Sequence, residues 1–264
     1  MNRLEKKLKD KRASGGKILL PFLTGGYPDI ETFIDLLLEL ERVGADGVEV
    51  GLPFSDPAAD GPVIQASSQI AIERGASVTS IFDAVAKARE RGLTIPLLYM
   101  TYYNPVFHLG AEEFSKRAAK SGADGVLVVD LPPEEAAEFA PAARASGLDT
   151  IFLVAPTTPE ERMERVTRES SGFLYCVSVT GVTGEKKPVT ELVGEMVERI
   201  RPHTDLPVLI GFGVSTGEGA ASLAEVSDGV IVGSALISAL GDARGEEAVK
   251  RGGEFIADIR KALD

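Results

Sequence analysis

Short, nearly continuous apolar runs alternate along the chain with segments whose apolar residues recur at helical spacing. The runs are ILLPFL (18–23), GVEVG (47–51), IPLLYM (95–100), GVLVV (125–129), TIFLVA (150–155), FLYCVS (173–178), PVLIGF (207–212) and GVIVG (229–233). They lack strict alternation, as parallel strands covered on both faces do. Residues 30–43 set Ile34, Leu37, Leu38 and Leu40 on one side and acids on the other, the pattern of an amphipathic helix. Helices are likewise expected over 111–121, 134–146, 159–170, 188–201, 217–224 and 246–263, with an extra helix at the N-terminus. Eight strands alternating with helices imply an all-parallel sheet. An open doubly wound sheet competes, but eight strands in 264 residues favour closure into a single-domain α/β fold, a (β/α)8 TIM barrel spanning 1–264.

One phrase recurs at strand entries: GADGVEV (44–50), GADGVLV (122–128) and SDGVIV (227–232), before the second, fourth and eighth strands. Repeated barrel units would produce it, and so would ordinary turn chemistry ahead of a strand. Two connections are long, residues 51–62 and 179–188, and both follow strands. In a barrel those loops build the active-site face.

Composition narrows the function. The formal net charge of −12 repels nucleic acid and anionic membrane, so an anionic ligand needs local main-chain N–H groups to hold it. The single cysteine, Cys176, precludes an intramolecular disulfide and fits a reducing compartment. The opening MNRLEKKLKDKR has no apolar stretch of the signal-peptide kind, and no run of about 18 apolar residues occurs, so a cytoplasmic protein is expected. His108 and His203 are the only histidines, which leaves no metal-ligand cluster.

Glu49 stands inside an apolar strand, near its C-terminal end. Burying a carboxylate there costs several kcal/mol unless it is paired or neutralised. No basic partner stands at another strand end, so Glu49 reads as an acid–base group whose pKa burial raises. Asp56 and Asp60 follow on a loop stiffened by Pro53, Pro57 and Pro62. The order Asp60-Gly61-Pro62 suits a helix cap or turn as well as it suits catalysis. GFGVS (211–215) and VGSAL (232–236) place glycines directly after the last two strands, where main-chain N–H groups and the Ser234 hydroxyl can grip a phosphate. SVTGVTGEKKP (178–188) reads either as a closing lid or as a plain surface loop. The twelve lysines lie in helices, in loops or at the start of the first strand, which disfavours a Schiff-base aldolase. A metal-assisted aldolase is disfavoured by the shortage of histidine.

Over nearly its whole length the chain resembles the tryptophan synthase alpha chain family. The resemblance is carried by P-F-x-T-x-G-x-P (21–28), G-x-P-F-S-D-P-x-A-D-G-P-x-I-Q (51–65), YYNPVF (102–107), DLPPEE (130–135), Tyr175, GVTG (181–184), GFGVS and GSA. It implies a retro-aldol cleavage of indole-3-glycerol phosphate to indole and glyceraldehyde 3-phosphate. Glu49 would be the acid–base residue, and Asp60 the carboxylate at the indole N–H. Phe22, Tyr102, Leu127, Leu153, Tyr175, Thr183 and Phe212 would surround the substrate. Gly184, Gly213, Gly233 and Ser234 would hold its phosphate. A beta chain carrying pyridoxal phosphate would be the partner in a heterotetramer, with Asp56 at the contact, and this chain itself would need no cofactor. Val179 stands where some members carry arginine. A free-standing lyase with the same carboxylates, a phosphosugar isomerase and a binding subunit without catalysis are the alternatives; the isomerase does not account for the 51–65 stretch, and intact Glu49 and Asp60 argue against the binding subunit.

Overall fold

The computed structural model describes residues 1–177, 188–211 and 213–264. Strands β1 (Ile18–Thr24), β2 (Val48–Gly51), β3 (Leu97–Thr101), β4 (Gly125–Val128), β5 (Asp149–Ile151), β6 (Leu153–Val154), β7 (Leu174–Cys176), β8 (Val208–Ile210) and β9 (Gly229–Val232) pair only in parallel, in the order β5-β4-β3-β2-β1-β9-β8-β7-β6. β5 and β6 are two pieces of one strand broken at Phe152, so the two ends of that order are the same strand. The break is spanned by the Phe152 carbonyl, which accepts the Tyr175 N–H at 3.3 Å. The sheet therefore closes into a barrel with eight strand positions, each within a residue or two of its expected place.

The helices wrap this barrel. α2 (Ile30–Arg42), α6 (Ala111–Ser121), α8 (Glu160–Glu169), α9 (Val189–Ile200), α10 (Gly217–Glu225) and α12 (Gly245–Leu263) fall where periodicity puts them. α7 is shorter than expected, Phe139–Ala145, because residues 134–138 form turns after Pro132 and Pro133. Four helices are additional to the periodic segments: α3 (Pro62–Glu73), α4 (Val78–Glu90), α5 (Tyr103–Leu109) and α11 (Ser234–Leu240). α5 carries Pro105 in its first turn, where a missing N–H breaks no helical bond.

Two apolar layers result. The outer one packs the helices on the sheet. The inner one fills the barrel with Ile18, Leu20, Leu98, Leu127, Ile151, Phe173, Tyr175, Leu209 and Ile231, and where one strand gives two of them, as with Ile18 and Leu20, they stand two residues apart. Its floor is closed by the extra N-terminal helix, α1 (Arg3–Ala13), whose Leu4 and Leu8 are fully buried in the same cluster.

The recurring strand-entry aspartates make long-range ties at the barrel floor. Asp46, Asp124 and Asp228 each accept the N–H of a residue opening a neighbouring strand: Leu19 at 3.0 Å, Leu97 at 3.0 Å and Val208 at 2.7 Å. The same three carboxylates receive cations from α1: Lys7 and Lys11 at 3.6 and 3.7 Å, Arg3 at 2.8 Å and Arg12 at 3.1 Å. The floor of the barrel is thus stitched by acids and capped by a basic helix, leaving the opposite mouth for chemistry.

Candidate active site

At the C-terminal mouth of the barrel, Glu49 sits in β2 in register with Phe22 of β1 and Leu98 of β3. It is 1% exposed, and among the described residues neither carboxylate oxygen has a partner within hydrogen-bond geometry. Burial pushes its pKa up to about 8, and the nearby Asp60 charge adds to the rise. Hydrogen bonding from the nearby Tyr175 phenol opposes that rise only in part. An unpaired carboxylate in such surroundings holds a proton at neutral pH.

Asp60 lies on the loop between β2 and α3. The cap of α3 is Gly61, and among the described residues no side chain caps that helix end, so Asp60 is not a helix cap. Its Oδ2 instead accepts a hydrogen bond from the Tyr102 hydroxyl at 2.9 Å. Desolvation raises the Asp60 pKa, and the Tyr102 bond counteracts it.

Glu49 and Asp60 face one cavity of about 160 Å³. Phe22, Ile64, Met100, Leu127, Val129, Leu153, Val177 and Ile231 give it apolar walls, and Tyr175 stands beside Glu49. Gly211, Gly213, Gly233 and Ser234 line it as well. Gly213 has φ +78°, a conformation that an L side chain resists. Two glycines make room for the aromatic neighbours of Glu49. A Cβ on Gly51 would lie 2.6 Å from the Phe22 ring, and one on Gly211 would lie 2.0 Å from the Tyr175 ring. An apolar slot with an acid–base pair and a glycine-lined wall can hold a flat aromatic group beside a proton donor, with main-chain groups for an anion.

Of the expected site residues, the structure brings Glu49, Asp60, Phe22, Leu127, Leu153, Tyr175, Gly213, Gly233 and Ser234 to this cavity. Tyr102 stands behind Asp60, 5% exposed and bonded to it, and is not among the residues lining the cavity. Asp56 is on the exposed part of the same loop, its carboxylate accepting the Ser55 hydroxyl at 2.5 Å. Thr183, Gly184, Phe212 and Val179, together with the loop expected over 178–188 apart from Pro188, lie outside the described residues. Met100, Val129, Val177 and Ile231 were not anticipated. Three of them continue the two-residue inward spacing beyond Leu98, Leu127 and Tyr175, and Ile231 precedes Gly233 by the same step.

The family model for the tryptophan synthase alpha chain matches residues 8–262. The tryptophan synthase alpha chain of Geotalea uraniireducens is 49% identical over 247 residues, covering 94% of this chain and 92% of that one. That of Cupriavidus metallidurans is 44% identical over 264 residues, covering all of both. Among solved structures, tryptophan synthase subunit alpha from Legionella pneumophila superposes with a TM-score of 0.92 at 35% identity, over 100% of this chain and 99% of that one. Tryptophan synthase from M. tuberculosis gives 0.89 at 33% identity over the full length of both. The chain therefore belongs to the tryptophan synthase alpha chain family, lyases that cleave indole-3-glycerol phosphate.

Proposed function

We propose that this chain performs the cleavage with Glu49 as its proton carrier and Asp60 as its charge stabiliser, within one barrel domain. The observation that carries the reading is the buried Glu49 carboxyl, unpartnered among the described residues, with a pKa of about 8 and sharing a cavity with Asp60. Protonated Glu49 gives its proton to indole C3, which turns the ring into an electron-poor indolenine. Asp60 accepts the hydrogen bond of the ring N–H and stabilises the positive charge that grows there. The Glu49 carboxylate then takes the proton of the hydroxyl on the adjacent side-chain carbon. That oxygen becomes the aldehyde, the carbon–carbon bond breaks, and its electron pair returns to the ring. Glu49 ends protonated, as it began, so the step balances without any other acid.

Phe22, Leu127, Leu153 and Tyr175 supply the slot for the indole ring. The N–H groups of Gly213, Gly233 and Ser234 suit the phosphate, with Gly184, Thr183 and Phe212 completing the site by family resemblance. In this reading the chain needs no cofactor of its own and works in the cytoplasm. It delivers indole to a beta chain that holds pyridoxal phosphate in an alpha2-beta2 heterotetramer. The loop bearing Asp56 is exposed at the same mouth and suits that contact.

The test is to incubate the purified chain with indole-3-glycerol phosphate and assay released indole, alone and with a beta chain. Indole should appear in both, and not with the Glu49→Gln variant. No indole in either mixture, or full activity without the Glu49 carboxyl, would overturn the reading.

A further inference from the structure

The Tyr102 hydroxyl is committed on both sides. It accepts the Ala59 N–H at 3.0 Å and spends its one proton on Asp60 Oδ2 at 2.9 Å. The residue reaches this loop from the end of β3, 42 positions away in sequence, so it ties two barrel edges together at the carboxylate. Its ring is held against Phe54, centroids 5.2 Å apart and tilted by 31°, which fixes where the hydroxyl points. Because Ala59 occupies the acceptor side of the phenol, its proton is directed at Asp60, and Oδ2 serves as an acceptor. Among the described residues Oδ1 makes no bond, and Asp60 faces the cavity. One oxygen is therefore anchored and the other is left for a ligand.

We propose that Tyr102 is a positioning residue for cleavage, anchoring Asp60 so that its free oxygen meets the indole N–H while Tyr102 itself stays out of contact with substrate. This rests on the assignment of Asp60 given above. The phenol also favours the ionised carboxylate, the form able to accept from that N–H, against the desolvation that opposes it. Among the described residues, the other titratable groups facing this spot are Glu49 from β2 and Tyr175 from β7, with Asp130 acting on Tyr102 from the loop after β4.

Tyr102→Phe keeps the ring and its stacking and removes only the hydroxyl. The expected result is a fall in kcat of about ten- to hundred-fold, the range for losing a hydrogen bond to a charged group. KM should change little, and the acidic limb of the kcat/KM profile should move to higher pH. In an Asp60→Asn background the same change should add almost nothing. Substituting 3-fluorotyrosine at position 102 makes the phenol a stronger donor without altering the fold, and should move that limb to lower pH. A rise in KM at unchanged kcat would make Tyr102 a substrate contact and overturn the proposal. So would equal losses with and without the Asp60 carboxylate, or a fluorotyrosine profile identical to that of the native chain. Should Asp60→Asn alone keep full turnover, the assignment of Asp60 itself falls, an outcome separate from failure at Tyr102.

Discussion

Glu49→Gln should stabilise the folded protein increasingly as pH rises, even as it ends catalysis. In the folded chain the Glu49 pKa is about 8, against an ordinary value of 4.5. Between these two values the native protein keeps a proton that the unfolded chain has released, so folding takes up a proton and stability falls as pH rises. The loss is about 1.4 kcal/mol per pH unit, complete near pH 8 and absent below the unfolded value. From pH 5 to pH 7.5 it amounts to roughly 3 kcal/mol. Glutamine does not titrate, and the other carboxylates are common to both proteins, so the difference in unfolding free energy isolates Glu49. Calorimetry at half-unit steps of pH reads it directly: Tm of the variant relative to the native chain should climb by on the order of 6 °C over that range. The intercept depends on how the amide packs, but the slope does not. A difference that stays constant with pH would show that Glu49 is ionised in the native state and would refute the reasoning.

Three further outcomes follow from the same geometry. Asp60→Asn should lower turnover by about 10²–10⁴-fold with little loss of Tm, since Asp60 caps no helix, and it should lower the Glu49 pKa because the Asp60 charge helps to raise it. A variant that unfolds instead would contradict this. Gly211→Ala puts a methyl 2.0 Å from the Tyr175 ring, so the ring must leave its place beside Glu49. Steady-state assays should show activity down on the order of 100-fold, and native kinetics would mean that Tyr175 has no fixed role there. Leu8→Ala empties a fully buried site under the barrel. Urea unfolding should register a loss of about 2–5 kcal/mol, whereas a change below about 0.5 kcal/mol would show that α1 is not packed into the floor.

The barrel was readable because parallel strands buried on both faces write continuous apolar runs, and eight of them appear. Helices α3 and α4 were harder, since the Ser-rich stretch 66–80 and the Gly75 break blur a periodic face that the packed barrel restores. Glu49 stood out as an anomaly, a carboxylate where an apolar strand calls for none, and anomalies of that kind survive without coordinates. Asp60 did not, because turn, cap and catalyst place aspartate in the same local context. What separates them is a tyrosine 42 residues away, and contact over that distance leaves no local mark. The Tyr102 bond to Asp60 was hidden for the same reason: proximity to the substrate and proximity to Asp60 look alike in a motif. The strand-entry aspartates show the converse case, a repeated phrase in which each aspartate makes the same main-chain bond to the start of a neighbouring strand.

Isotope-edited infrared spectroscopy of the native chain against Glu49→Gln, titrated through neutral pH, observes the carboxyl proton itself. A protonated carboxyl band present at pH 7 and disappearing with a midpoint near 8 is the predicted result. A carboxylate band at Glu49 already complete at pH 6 would contradict the account at its centre.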